Sequence, residues 1–221
     1  MLKKLLYLLK DKLKSKKTAV DQFHRLYYDS HVWYNTFWLG IPAYKCPLDL
    51  WIYQEIIFEL RPDIIIECGT ASGGSALFLA SICDLVNKGK IITIDTEDRK
   101  GRPEHERIVY LLGSSTSREI GEKVRSLTRN EDKVMVILDS DHRKEHVLKE
   151  LGIYGKFVTK GSYITVEDTN INGHPVAPEF GPGPMEAVEE FLEENEDFVM
   201  DKDREKFYLT FNPSGYLKRI K

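Results

Sequence analysis

The stretch Ile64-Ile65-Ile66-Glu67-Cys68-Gly69-Thr70-Ala71-Ser72-Gly73-Gly74-Ser75 is an apolar run that ends in an acid and a glycine-rich turn before helix-forming residues begin. This order predicts a buried strand, a tight loop and a helix N-terminus. Glycine lets the backbone approach a ligand closely, and the unpaired amides of a helix start attract carboxylate or phosphate groups. The stretch therefore predicts a loop that binds a nucleotide-like cofactor, with an ordinary strand-to-helix turn as the alternative.

A second acid supports the cofactor interpretation. Asp95 ends the next apolar run and lies 21 positions after Gly74, where doubly wound folds place an acid on a ribose diol. An NAD-binding loop would read G-x-G-x-x-G, but Ala71 occupies the third position here and Glu67 lies two residues before the first glycine. The pattern favours S-adenosylmethionine over NAD, with Glu67 serving the cationic amino-acid end and Asp95 the ribose.

Composition and charge restrict the class of protein. A chain of 221 residues with 42% hydrophobic residues can form one domain with a buried core. The 32 basic and 35 acidic residues give a net charge of −3, which does not favour nucleic acid as a partner. Three cysteines without a C-x-x-C pair argue against a disulfide framework or a zinc site and fit a cytoplasmic protein. We find neither a membrane-spanning run nor a signal peptide.

The N-terminal region differs from the rest of the chain. Residues 1–17 contain seven lysines, with leucines at positions 2, 5, 6, 9 and 13 on one helical stripe. The stripe predicts a helix packed on the domain or on a second subunit of a homo-oligomer. The alternatives are a peripheral membrane contact and a frayed tail. We expect residues 1–46 to be a helical and aromatic extension and residues 47–221 to be the main domain.

From residue 47 onward, apolar strand patterns alternate with helical patterns. This alternation predicts an α/β fold: a Rossmann-like, doubly wound and mostly parallel sheet with helices on both faces. After a helix at residues 184–194, the pattern changes to three expected antiparallel strands that close the C-terminal edge of the sheet. These strands are predicted at residues 198–200, 207–211 and 215–220.

Acids also follow two later strands. Asp139-Ser140-Asp141-His142 ends the strand beginning at Val134, and Glu167-Asp168 ends the strand beginning at Tyr163. Because ligands bind beyond the carboxyl ends of parallel strands, these side chains should gather beside the cofactor loop. Clustered carboxylates repel unless they are protonated or bind a cation, and oxygen ligands suit Mg²⁺, with Mn²⁺ or Ca²⁺ as alternatives. Unrelated helix caps are the other interpretation. Residues 170–184 then form a long loop that we predict to be a substrate lid. The alternative is a surface excursion in which Pro184 only starts the next helix.

These motifs resemble the cephalosporin hydroxylase family, a group of proteins with the class I methyltransferase fold that includes rhamnosyl O-methyltransferases. The resemblance runs from about Trp38 to Gly215. Its strongest pieces are Trp38–Pro42, Lys45–Asp49, Glu67–Thr70, Gly73–Ser75, Leu138–His142, Val166–Asn170 and Gly181–Pro184. It implies S-adenosylmethionine on a set of residues comprising Glu67, Gly69, Thr70, Ser72, Gly73, Gly74, Asp95 and Asp139. It also implies Mg²⁺ on an Asp–Glu–Asp set.

The ligand assignment within Asp139-Ser140-Asp141 stays open. Glu167 follows Asp139 by 28 positions, as in catechol-type metal-dependent methyltransferases, and follows Asp141 by 26, as in the hydroxylase family. We favour Asp141, Glu167 and Asp168 on the metal, with Asp139 sharing the metal or contacting the cofactor. The expected catalytic set is Asp139, Asp141 and His142, with His142 as a candidate base.

The predicted activity is O-methylation of a hydroxyl on a saccharide or related small molecule, dependent on S-adenosylmethionine and a divalent cation. Hydroxylation is not expected, because no pair of histidines with a carboxylate is placed for a non-haem iron site. The alternatives are an NAD-dependent or a non-catalytic Rossmann-type protein.

Overall fold

The computed structural model describes residues 2–221, with side chains described from Lys16 onward. The helices are α1 (Leu2–Asp29), α2 (Pro47–Leu60), α3 (Gly74–Leu85), α4 (Arg118–Leu127), α5 (Lys144–Tyr154) and α6 (Pro184–Glu194). The strands are β1 (Phe37–Trp38), β2 (Ile41–Pro42), β3 (Ile64–Cys68), β4 (Lys90–Asp95), β5 (Ile108–Leu112), β6 (Val134–Leu138), β7 (Tyr163–Val166), β8 (Phe198–Met200) and β9 (Tyr216–Arg219).

The main sheet confirms the predicted fold class. Its seven strands have the order β5-β4-β3-β6-β7-β9-β8, in which β3 to β7 are parallel and β9 is antiparallel to both of its neighbours. The register places Cys68 opposite Ile94 of β4 and Leu138 of β6. The acids that follow these strands therefore meet at one edge of the sheet.

Both faces of the central strands are covered by helices. Every residue of β3 and β6 is buried, as expected for a parallel sheet between two helical layers. Alternate residues point to opposite layers: Ile65 packs in one core cluster with α2 and α3, and Ile66 packs in another with α4, α5 and α6. This two-layer packing gives the strand ends a rigid platform for a site.

One predicted strand is wrong. Residues 207–211 form a turn and an irregular segment rather than an edge strand. The backbone N–H of Phe211 donates to Oδ2 of the buried Asp49 at 2.8 Å, and the Thr210 hydroxyl donates to Oδ1 at 2.5 Å. The segment has a strand-like apolar pattern, but a buried carboxylate on α2 accepts the hydrogen bond of a backbone N–H group that could otherwise pair with a neighbouring strand.

The described part of the N-terminal region packs on the domain. His24 of α1 stacks on Phe211 with ring centroids 5.8 Å apart, and Tyr28 meets the same ring edge-on at 5.5 Å. His24 Nε2 also lies 2.9 Å from the amide nitrogen of Asn170. The predicted burial of Leu5, Leu6 and Leu9 lies outside the described side chains. Among the described helices, none is both long and apolar enough to cross a membrane.

Candidate functional site

A cavity of about 350 Å³ lies at the carboxyl ends of β3, β4, β5 and β6. Its lining is Gly69, Ala71, Ile94, Asp95, Thr96, Glu97, Arg99, Gly113, Ser114, Ser115, Asp139, Ser140, Asp141 and His146. Three residues of the predicted cofactor set, Gly69, Asp95 and Asp139, line this cavity. The remaining five, Glu67, Thr70, Ser72, Gly73 and Gly74, belong to the strand end and the loop that support it.

Gly69 is required by the close approach of two strand ends. Its φ is +103°, and a Cβ atom at this position would lie 1.8 Å from the backbone oxygen of Asp139. Any larger residue would therefore push the end of β6 away from the end of β3. The glycine keeps Asp139 directly beside the floor of the cavity.

Asp95 organises the glycine-rich loop. Its Oδ2 accepts hydrogen bonds from the backbone N–H groups of Thr70 at 3.2 Å and Ala71 at 2.8 Å. The guanidinium of Arg102 lies 3.1 Å from the same oxygen and also donates to the Ala71 carbonyl. Asp95 thus has a structural role in addition to the predicted contact with a ribose.

Sequence reasoning missed the far side of the cavity. Glu97, Ser115 and His146 line it, although no spacing rule connects them with the glycine-rich loop. Ser115 Oγ lies 3.2 Å from His146 Nε2, which in turn lies 3.4 Å from the fully buried carboxylate of Glu150. The hydrogen bond to Glu150 raises the pKa of His146. The turn after β5, Gly113-Ser114-Ser115, was the one available signal for this wall.

An acidic cluster adjoins the cavity. Asp139, His142 and Asp168 each offer a ligand atom, and these atoms lie within 4.8 Å of one another. His142 Nε2 is 3.3 Å from Asp168 Oδ2. Burial and the nearby charge of Asp139 raise the pKa values of both Glu167 and Asp168. The cluster therefore concentrates negative charge at a partly buried place.

Lys45 contacts this cluster from the N-terminal segment. Its Nζ donates to Asp139 Oδ2 and lies 2.7 Å from Glu167 Oε1, and its side chain is 4% exposed. The Tyr53 hydroxyl also donates to Glu167 Oε1 at 2.7 Å. Lys45 belongs to one of the family-like motifs, but a single lysine in a loop gave no sequence signal for a role here.

The structure separates Asp141 from the cluster. Both carboxylate oxygens of Asp141 accept hydrogen bonds from the guanidinium of Arg143, which lowers the pKa of Asp141 to about 2. Asp141 lines the cavity, whereas Asp139 both lines it and joins His142 and Asp168. Of the two acids, Asp139 is the one that lies in this group of possible cation ligands, and the metal role expected for Asp141 stays a prediction.

The sheet order, the glycine-rich loop after β3 and the ligand-sized cavity define a protein with the class I methyltransferase fold. Solved structures support this class: apo CmcI-N160 has a TM-score of 0.66 at 20% identity, covering 84% of this chain and 76% of that one. CmcI-D160, solved with Mg and SAM, has a TM-score of 0.63 at 20% identity, covering 85% and 78%.

Sequence comparison gives the family. The rhamnosyl O-methyltransferase of Mycobacterium tuberculosis is 41% identical over 209 residues, which cover 91% of this chain and 85% of the relative. The model of the family described as Rhamnosyl O-methyltransferase/CmcI matches residues 30–220. The chain belongs to this family and is by class an O-methyltransferase.

Proposed function

We propose that this chain transfers a methyl group from S-adenosylmethionine to a saccharide hydroxyl, with a divalent cation held at the acidic cluster. The main observation behind the proposal is that Asp139 both lines the cavity and belongs to the acidic cluster. A methyl donor in the cavity and an acceptor at the cluster would thus meet at one side chain. Such an arrangement favours transfer by holding the two reactants close together.

Acidic side chains line the cavity and offer oxygen atoms to a cationic cofactor. Carboxylates of Asp95, Glu97, Asp139 and Asp141 line it, and each is paired with a cation of the protein. S-adenosylmethionine carries a sulfonium and an ammonium group, which carboxylate oxygens attract. When bound, the cofactor supplies an electrophilic methyl group. The relative CmcI-D160, whose structure contains SAM, agrees with this assignment.

The residues of the acidic cluster fit a divalent cation. Carboxylates of Asp139 and Asp168 would hold it, with Glu167 adjacent, because hard cations prefer several oxygen ligands. When bound, the cation supplies positive charge that favours the ionised form of an acceptor hydroxyl. We assign His142 as the residue that accepts the proton. Its Nε2 lies 3.3 Å from Asp168 Oδ2, and this contact orients the imidazole.

We propose that tyrosines of the N-terminal segment and the lid of residues 170–184 surround the acceptor. Burial and the charge of Asp168 raise the pKa of Tyr28, and the Tyr44 ring lies edge-on to Tyr34 at 6.0 Å. Aromatic faces suit the C–H surfaces of sugars. Trp38 of the same segment donates a hydrogen bond to Ser81 Oγ and packs edge-on to Phe78. The name of the mycobacterial relative supports a rhamnosyl-type acceptor.

Two matched variants test the cation site. Asp139→Asn should abolish Mg²⁺ binding measured by calorimetry, whereas Asp141→Asn should retain it, because Asp141 is paired with Arg143. Excess chelator should stop methyl transfer, and added Mg²⁺ should restore it. Methyl transfer that continues in excess chelator, or equal Mg²⁺ affinity of the Asp139→Asn variant and the parent, would contradict the proposal.

The acceptor is tested with paired substrates. A sugar with two neighbouring hydroxyls should be methylated much faster than its monodeoxy analogue, because the analogue loses one of the two oxygens that could align it. Transfer is measured with a radiolabelled methyl donor. Equal turnover of the two acceptors would refute the claim that two acceptor oxygens contact the cation. A preference for catechols over every saccharide tested would refute the proposal that the acceptor is a sugar.

The location and partners of the chain are also proposals. Its three cysteines are free and buried, which supports a cytoplasmic location. Deletion of residues 1–17 should change oligomer size or stability if the N-terminal helix packs on the domain or a second subunit. Light scattering and thermal unfolding measure these effects. Flotation on anionic vesicles that is lost on deletion would instead support the membrane alternative.

A further inference from the structure

Lys45 is a buried cation that has no role in the reaction proposed above. Its ammonium group contacts Asp139, which follows β6, and Glu167, which follows β7. With its side chain 4% exposed, Lys45 has little surface with which to contact a substrate. Any influence on the reaction must therefore pass through the two carboxylates that it contacts.

The position of Lys45 is fixed by backbone contacts in the N-terminal segment. Its N–H donates to Thr36 Oγ1 at 3.2 Å, and the N–H of Ala43 donates to the Thr36 carbonyl at 2.9 Å. The carbonyl of Pro42 lies against Gly74, where a Cβ atom would be 2.2 Å from it. These contacts hold the segment against the start of α3. The backbone of Lys45 is therefore fixed, and its side chain extends to the edge of the sheet.

Three carboxylates meet beside this ammonium group. Asp139, Glu167 and Asp168 would repel one another at these partly buried strand ends unless a positive charge lies among them. Lys45 supplies that charge and contacts one oxygen each of Asp139 and Glu167. The Tyr53 hydroxyl adds a donor to the same Glu167 oxygen.

We propose that Lys45 is a positioning residue that keeps Asp139 and Glu167 assembled when no divalent cation is bound. This inference rests on the proposed function for the identity of the metal site. The ammonium group replaces part of the charge that the metal would supply, and it draws together side chains from two strands. A cation then enters a site in which its ligand Asp139 and the adjacent Glu167 are already in place, as preorganisation requires.

Thermal unfolding in chelator and in saturating Mg²⁺ tests the proposal. Lys45→Met should unfold at a lower temperature than the parent in chelator, and Mg²⁺ should recover most of the difference. The Mg²⁺-induced shift of the variant should be at least twice that of the parent. Lys45→Arg, which keeps the charge, should lie closer to the parent. Lys88→Met removes a half-exposed lysine paired with Asp63 and serves as the control for a lost surface ion pair.

A second measurement needs no metal. If Lys45 balances the charge of Glu167, the double variant Lys45→Met/Glu167→Gln should be more stable in chelator than Lys45→Met alone. A loss of stability that is equal with and without Mg²⁺ would show a purely structural lysine and overturn the proposal. Unchanged stability of Lys45→Met, or strictly additive effects in the double variant, would also overturn it.

Failure of the proposed function gives a different result. If calorimetry shows that the parent does not bind Mg²⁺, the metal site itself is refuted. The comparison of Lys45→Met with Lys45→Met/Glu167→Gln in chelator still decides whether Lys45 holds the carboxylates together.

Discussion

Replacement of Gly74 by alanine tests whether this glycine serves the packing of the chain rather than a ligand. Gly74 is the first residue of α3, and its φ is not in the left-handed region. A Cβ atom here would lie 2.2 Å from the oxygen and 2.6 Å from the carbon of the Pro42 carbonyl, and 2.8 Å from Ala43 N. All three opposing atoms are backbone, so no flexible side chain can move aside.

The expected change in the free energy of unfolding is the sum of two opposing effects. Alanine is favoured over glycine in a helix by up to about 1 kcal/mol. Against this, the Pro42 carbonyl must retreat by about 1.2 Å to reach the 3.4 Å at which ordinary contacts begin. Overpacking usually costs about 1–3 kcal/mol, and a backbone obstacle places the cost near the upper end. We expect a net loss of about 2 kcal/mol, or about 4–8 °C in Tm for a chain of this size.

Gly121 provides the matched control. It lies in α4, and a Cβ atom there meets nothing within 4 Å. Gly121→Ala should stabilise the chain by about 0.5–1 kcal/mol through helix propensity alone. Urea unfolding followed by circular dichroism measures both variants. If Gly74→Ala is as stable as the parent or gains as much as Gly121→Ala, the close approach of Pro42 does not constrain this position and the reasoning is refuted.

Three further predictions follow from single side chains. Asp95→Ala should weaken S-adenosylmethionine binding by about 1.5–3 kcal/mol, because a hydrogen bond to a charged group is lost; equal affinities by calorimetry would contradict the ribose assignment. Burial raises the pKa of Asp49 from 3.8 to about 6, so its contribution favours folding below about pH 4 and is lost as the pH rises through about 6. Asp49→Asn should remove up to about 3 kcal/mol of this pH dependence in urea unfolding between pH 4 and 7, and equal slopes for parent and variant would refute it. Glu186 accepts bonds from Gly183, Asn172 and His174 of the lid at 2.7–2.9 Å. Glu186→Ala should therefore raise the acceptor KM with little change in cofactor affinity, while alanine at the exposed Glu189 should not; an unchanged KM would show that these bonds do not order the lid.

The sheet and the glycine-rich loop could be predicted because their signals are local. An apolar run followed by Glu67 and a glycine-rich turn encodes strand, loop and helix within twelve residues, and the observed β3 and α3 agree with it. Residues 207–211 show the limit of such patterns. Their alternation is strand-like, but Asp49, more than 150 positions earlier, takes the bonds of Thr210 and Phe211.

The position of the acidic cluster could be predicted from the sequence, but the contacts of its side chains could not. Strand ends that carry acids must meet at one edge of a parallel sheet, and Asp139, Glu167 and Asp168 do lie together there. The choice between Asp139 and Asp141 depends on the orientation of one turn. Arg143, two residues further on, draws Asp141 away, and no spacing in the sequence reveals this pairing. Lys45 was missed for a similar reason, since its partners lie 94 and 122 positions away.

Asp139 connects the glycine-rich loop with the acidic cluster. Its backbone oxygen lies against Gly69, which has no side chain to keep the two strand ends apart. Its carboxylate meets Lys45, which the contact of Pro42 with Gly74 holds in place. Two of the loop glycines thus act through the protein's own packing: Gly69 places Asp139 beside the cavity, and Gly74 places the lysine that balances its charge. Because both contacts converge on Asp139, a shift in either strand end would move the cofactor cavity and the proposed cation ligands together.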